Sequence, residues 1–137
     1  MEFFVFVSEQ WLLITLLAAL IGIFVVTEQS KSGKSLNSSE LVRMINNDEA
    51  VVVDVRSAAE FEAGHIHGAL SIPHQKLASR IAELEKHREK VVVLVDKIGQ
   101  HSGAAGKKLS SEAFNVRRLS GGISEWQGSS LPLVPGK

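Results

Sequence analysis

The chain has 137 residues, 45% of them hydrophobic, and its 15 basic and 15 acidic residues give a formal net charge of zero, which leaves room for one compact domain and an accessory segment. Neutral charge and the absence of a basic stripe interleaved with aromatics argue against a nucleic-acid partner. The chain contains no cysteine, which excludes disulfides, thiolate metal sites and thiol nucleophiles.

In chain order, the first patterned stretch is Trp11-Leu-Leu-Ile-Thr-Leu-Leu-Ala-Ala-Leu-Ile-Gly-Ile-Phe-Val-Val-Thr27, an uncharged run of 17 residues. That is near the lower limit of about 17 for a helix that crosses a bilayer, and Phe3 to Val7 can extend it into the interface. No basic region precedes the run and no small-x-small cleavage pattern follows it, so residues 1–28 are predicted to be a retained anchor in the lipid bilayer rather than a cleaved signal peptide. Lys31, Lys34 and Arg43 follow the run, whereas only acids and the amino terminus precede it. The positive-inside rule therefore predicts a single pass with the amino terminus outside and the C-terminal domain in the cytoplasm.

Residues 29–36 are polar, rich in Ser, Gly and Lys, and read as a short flexible linker. The domain is expected over residues 37–137. Asn37-Ser-Ser-Glu40 has capping-box spacing ahead of Leu41, Met44 and Ile45, which places a first amphipathic helix there. A strand over 51–55, a short helix near 58–63, a strand near 69–71 and a charged helix around 75–85 follow. Then come a buried strand over 91–95, a helix with residues 104–109, a strand over 116–119, and a turn and helix through Trp126. Strands alternating with helices at this spacing predict a mainly parallel sheet covered on both faces.

Two loops carry the candidate chemistry. Asp96-Lys-Ile-Gly-Gln-His-Ser102 joins a buried strand to a helix. Such a loop gathers backbone N–H groups around a concavity at the positive end of a helix dipole, so it favours a small anion or a thiolate. Asp54 and Arg56 stand at the end of the 51–55 strand, where a buried ion pair that ties loops together is favoured over a catalytic role. Glu60 and His65 fit the same structural account. His65, His67 and His74 raise a zinc hypothesis, but nothing in the sequence brings the three together, and neither a metal nor another cofactor is expected. Gly121-Gly122 reads as a tight turn and Trp126 as a core anchor.

The motifs Asp54-x-Arg56, Glu60-Phe61, Gly64-His65-Ile66, Gly68-Ala69 and Ile72-Pro73, continued by Gly106 to Ser111, Phe114, Gly121-Gly122-Ile123, Trp126 and Leu131-Pro132-Leu133, resemble those of the rhodanese homology family. The membrane-anchored single-domain bacterial members are the most similar. The resemblance covers the last hundred residues or so and implies a three-layer α/β/α domain on a mainly parallel five-stranded sheet, behind one N-terminal transmembrane helix. With the positive-inside reading, it implies the inner membrane of a bacterium. In active members the loop opens with a cysteine that carries sulfane sulfur as a persulfide. That cysteine falls on Asp96, and the loop's closing position, often Arg, falls on His101.

A carboxylate cannot carry a persulfide, so the resemblance implies the fold with more force than sulfurtransferase activity. Three readings of Asp96 remain open. Its carboxylate fills the loop's nest of amides, or the loop has reshaped and turned it to water, or it acts as a nucleophile or base with His101 and Ser102. Two functions follow: a non-catalytic rhodanese-like module that binds or positions a protein partner at the membrane, or an altered enzyme handling an anion or phosphoester in the loop formed by Asp96, Lys97, Ile98, Gly99, Gln100, His101 and Ser102.

Overall fold

A computed structural model describes residues 2–31, 34–99 and 101–136. Ser32 and Gly33 of the predicted linker and Gln100 of the predicted loop lie outside the described residues. The chain divides into two units, Met1–Ser30 and Lys31–Lys137.

The first unit is one helix, α1 (Glu2–Lys31), of 30 residues, about 45 Å long at 1.5 Å per residue. It is long and apolar enough to cross a membrane. It exceeds the predicted 11–27 because Phe3 to Val7 continue the apolar pattern and Ser8-Glu9-Gln10 contains no helix breaker. Its large apolar side chains are exposed on every face, Phe4 at 72% and Val26 at 65% among them; helices in water bury one stripe. The Thr15 hydroxyl donates to the carbonyls of Trp11 and Leu12 at 2.9 and 3.0 Å, so this polar group is satisfied within the helix, a condition that a helix crossing a bilayer has to meet.

The second unit holds five strands: β1 (Lys34–Leu36), β2 (Ala50–Asp54), β3 (Leu70–Ser71), β4 (Val91–Val95) and β5 (Val116–Leu119). They form one sheet in the order β1-β5-β4-β2-β3 with every pairing parallel. The helices are α2 (Ser38–Asn46), α3 (Ala58–Ala63), the single turn α4 (Leu77–Arg80), α5 (Ser102–Ser111) and α6 (Gly122–Gly128). The linker reading is corrected at its end: Lys34–Leu36 pairs with Arg117 to Leu119 as an edge strand.

Both sheet faces are covered, which explains the unbroken apolar run of β4. Val92 and Leu94 pack on one face with Val53, Leu77, Leu84 and Leu109. Val93 and Val95 pack on the other with Leu41, Val52, Ile123 and Trp126. Asn37 caps α2 as its spacing predicts, its side chain accepting from Glu40 N at 2.8 Å while Nδ2 donates to Glu40 Oε1 at 3.0 Å.

The charged helix predicted around 75–85 is also corrected. His74–Lys76 and Ile81–His87 are 3-10 turns flanking α4. The tighter winding brings i and i+3 into line and seats two ion pairs, Arg80 Nε to Glu83 Oε2 at 2.5 Å and Arg88 Nε to Glu85 Oε2 at 2.6 Å. Both pairs are exposed and contribute little.

At the end of this run the His87 Nε2 atom is buried without a hydrogen-bond partner. Burial, reinforced by the charges of Lys86 and Lys90, holds the imidazole below its ordinary range. The unfolded chain therefore binds this proton more readily than the folded one, so stability is complete above an unfolded pKa of about 6.5 and declines as pH falls toward the lower folded value. Thermal denaturation at about pH 7.5 and about pH 5.5 should give a lower midpoint in acid, and His87→Leu should flatten that difference; an unchanged slope in the variant would assign the effect elsewhere.

Candidate functional site

β2 runs into Asp54 and β4 into Asp96, and the two strands are neighbours with Asp54 opposite Val95. From β2 the chain turns to β3 on one side, and from β4 it turns to β5 on the other. The gap between the carboxyl ends of β2 and β4 is therefore the topological switch point, where open parallel sheets form a crevice. A cavity of 200 Å³ opens there, lined by Arg56, Ser57, Glu60, His74, Gln75, Asp96, Lys97 and His101.

Asp96 is 2% exposed, and its carboxylate is taken up by the loop's own backbone. Oδ1 accepts from Gly99 N, and Oδ2 accepts from His101 N at 2.5 Å and from Ser102 N at 3.1 Å. Gly99 makes its bond with φ of +97°, a left-handed conformation that a glycine adopts without penalty. The carboxylate thus occupies the ring of amides at the start of α5, and the geometry departs from the reading in which Asp96 turns to water. Ser102 is buried, its hydroxyl directed at Gly99 O at 3.4 Å. Lys97 and Ile98 project outward, Ile98 being 51% exposed.

The loop is also held from behind by residues whose role the sequence did not disclose. Ile123 N donates to Asp96 O at 2.8 Å and Ser124 N to Lys97 O at 3.0 Å. Gly121 and Gly122 have φ of +72° and +60°. A Cβ on Gly122 would overlap the Asp96 carbonyl oxygen and lie 2.8 Å from Lys97 C, so the glycine pair is what lets α6 approach the loop.

On the β2 side, Asp54 is 1% exposed. Its Oδ1 accepts from Arg56 N and Nε, both at 3.0 Å, and its Oδ2 from Nη2 at 2.7 Å. The same Nη2 donates to Gly64 O at 2.7 Å, so the guanidinium ties the end of β2 to the end of α3. Ser57 caps α3, its Oγ accepting from Glu60 N at 3.3 Å and donating to Glu60 Oε1 at 3.1 Å. Glu60 thereby reaches the cavity wall. His65 is buried, with Nδ1 2.9 Å from Phe61 O and its ring stacked on Phe61 at 3.8 Å.

The three histidines considered for zinc are separated by role. His65 packs inside, His67 is exposed in a turn, and His74 faces the cavity with its ring stacked on His101 at 4.1 Å. Among the described residues no group of three or more His, Asp or Glu could hold a metal ion. Taken together, the cavity offers a narrow, partly basic mouth over a floor whose anion position is already taken by a side chain of the same chain. The amides of Gly99, His101 and Ser102 are engaged by that side chain and are not free to donate to an incoming sulfur or phosphorus oxyanion.

A five-stranded parallel sheet of this order, with the loop after β4 wrapped around an anionic group, is the architecture of a rhodanese-like domain. The chain belongs to that family, whose description, Rhodanese-like domain, is matched over residues 37–129. It is similar to the uncharacterized protein YibN of Escherichia coli K12, with 37% identity over 125 residues covering 88% of this chain and 87% of the relative. That coverage exceeds what residues 37–137 alone can supply, so the likeness extends into the N-terminal segment. A crystal structure of a rhodanese-related protein from Thermoplasma volcanium superposes with a TM-score of 0.68 at 31% identity, covering 74% of this chain and 97% of that one. Thiosulfate sulfurtransferase from Pseudomonas aeruginosa shares the fold, with a TM-score of 0.71 at 24% identity, covering 82% of this chain and 22% of that one.

Proposed function

We propose that this protein is a non-catalytic rhodanese-like module, anchored in the inner membrane of a bacterium by α1, that binds or positions a protein partner on the cytoplasmic face. The observation that carries the proposal is the Asp96 carboxylate, buried and bonded to three amides of the loop in a chain without cysteine. The loop's amides close on a side chain of their own loop, and a negative charge sits where thiosulfate or a phosphoester would need those amides. This weighs against the altered-enzyme alternative. The residues Lys31, Lys34 and Arg43 after the apolar run support the cytoplasmic orientation.

The purified full-length protein, given thiosulfate and cyanide, is expected to form no thiocyanate above the buffer rate. Turnover that vanishes on Asp96→Asn would sink the proposal, because it would make the carboxylate a participant in chemistry.

A further inference from the structure

Outside α1, a single large hydrophobic side chain is exposed among the described residues, that of Ile98. One exposed isoleucine means little by itself. This one sits at the tip of a loop fixed from both sides, by the Asp96 carboxylate on three amides and by Ile123 N and Ser124 N on the carbonyls of Asp96 and Lys97. A side chain presented on a fixed backbone loses less freedom when it docks. Its neighbour Lys97 is exposed and makes no ion pair among the described residues.

The same domain carries a second cavity, of 290 Å³, between α3 and the edge strand β3, lined by Ala58, Phe61, Glu62, Ala69, Leu70 and Ser71. Its lining is mainly apolar, and its one ionisable residue, Glu62, is exposed and likewise without an ion pair among the described residues. The chain therefore displays an aliphatic knob beside an unpaired cation and an apolar cavity beside an unpaired anion.

We infer that the Lys97–Ile98 tip of one copy docks in the Phe61–Leu70 cavity of a second copy, with Ile98 on the apolar floor and Lys97 against Glu62. The inference rests on the reading above in taking the loop as a protein-contact element, and it names the partner as this chain itself. Burial of the isoleucine supplies the attraction, and the rim ion pair fixes register and orientation. The contact is heterologous: each copy that offers its knob keeps a cavity free, so association extends beyond a pair into rings or rows. Confinement to one membrane raises the effective concentration enough for a modest contact to be occupied.

The absence of cysteine makes disulfide trapping selective. Full-length Gln100→Cys, which leaves Ile98 and Lys97 in place, and Ala58→Cys chains, differently tagged and co-reconstituted in vesicles, are expected to cross-link under copper–phenanthroline oxidation about tenfold more than either gives alone. Adding Lys97→Glu to the first chain should reduce the mixed product about tenfold, and Glu62→Lys in the second should restore it. A chain carrying both cysteines should give a ladder beyond the dimer. Mixed product no greater than the single-variant background, or a charge reversal that is not rescued, overturns the inference. A photo-crosslinker placed at position 98 in cells separates the two failures. Adducts to a different protein without self-adducts, or no adducts at all, overturn the second-copy contact. Asp96-dependent thiocyanate formation overturns the non-catalytic reading.

Discussion

Arg56→Met is expected to destabilise the domain by about 3–5 kcal/mol, the range found when one partner of a buried ion pair is removed and the other stays behind. Asp54 is 1% exposed and takes Arg56 Nε and Nη2 on its two oxygens. Without the guanidinium it keeps only the Arg56 backbone N–H, and Gly64 O loses its donor as well. At about 4–8 °C per kcal/mol for a domain of this size, the thermal midpoint should fall by on the order of 20 °C. The double variant Asp54→Leu/Arg56→Met removes both charges and should recover a substantial part of the loss, because the cost lies in the orphaned carboxylate rather than in the missing attraction. Circular dichroism melts of the full-length protein in detergent measure all three. A single variant within about 1 kcal/mol of wild type would mean that water reaches Asp54.

That ion pair was legible in the sequence because both partners lie two residues apart at the end of a strand whose β-branched run announces itself. β2 and β4 were legible for the same reason: Val51 to Val53 and Val91 to Val95 are short apolar runs ahead of an aspartate, the mark of strands buried on two faces, whereas β5, Val116-Arg-Arg-Leu119, shows only its two buried apolar ends. β1 was not, since Lys34-Ser-Leu36 has one buried side chain and pairs with β5 alone. Its strand state is conferred by a neighbour some eighty residues downstream, and local propensity carries no trace of that. The run from His74 to His87 misled for a different reason. Its charges are spaced for a helix surface, but its ion pairs close at i,i+3, a distinction that periodicity over so short a stretch cannot make.

The candidate site divides along the same line. The sequence located Asp96 and the polarity of its loop, because strand, polar loop and helix are consecutive. It did not disclose that α6 braces the loop through Ile123 N and Ser124 N, nor that His74 lies flat on His101. Both contacts join residues more than twenty positions apart. Gly121-Gly122 was the available signal for the first, since adjacent glycines before a helix mark a close backbone approach, although the sequence does not say to what.

Asp96→Ala should be the most informative change to the loop itself. It leaves the N–H groups of Gly99, His101 and Ser102 converging on an emptied position, and each unsatisfied donor costs about 1–3 kcal/mol. Water recovers part of that, so a net loss of about 3 kcal/mol is expected. Asp96→Asn separates shape from charge. The amide fits the same space, but its NH2 would face donors where an oxygen now accepts from His101 and Ser102, so the isosteric variant should also be destabilised. The emptied nest should then bind what the carboxylate displaced. At sulfate or thiosulfate about 100-fold above its dissociation constant, Asp96→Ala should regain about 2.7 kcal/mol, while wild type, with its amides occupied, should not respond beyond the general salt effect measured with chloride at matched ionic strength. Equal responses of wild type and variant to sulfate would show that the anion acts elsewhere. A variant as stable as wild type without any anion would show that the loop amides do not depend on the carboxylate, and that Asp96 closes no site.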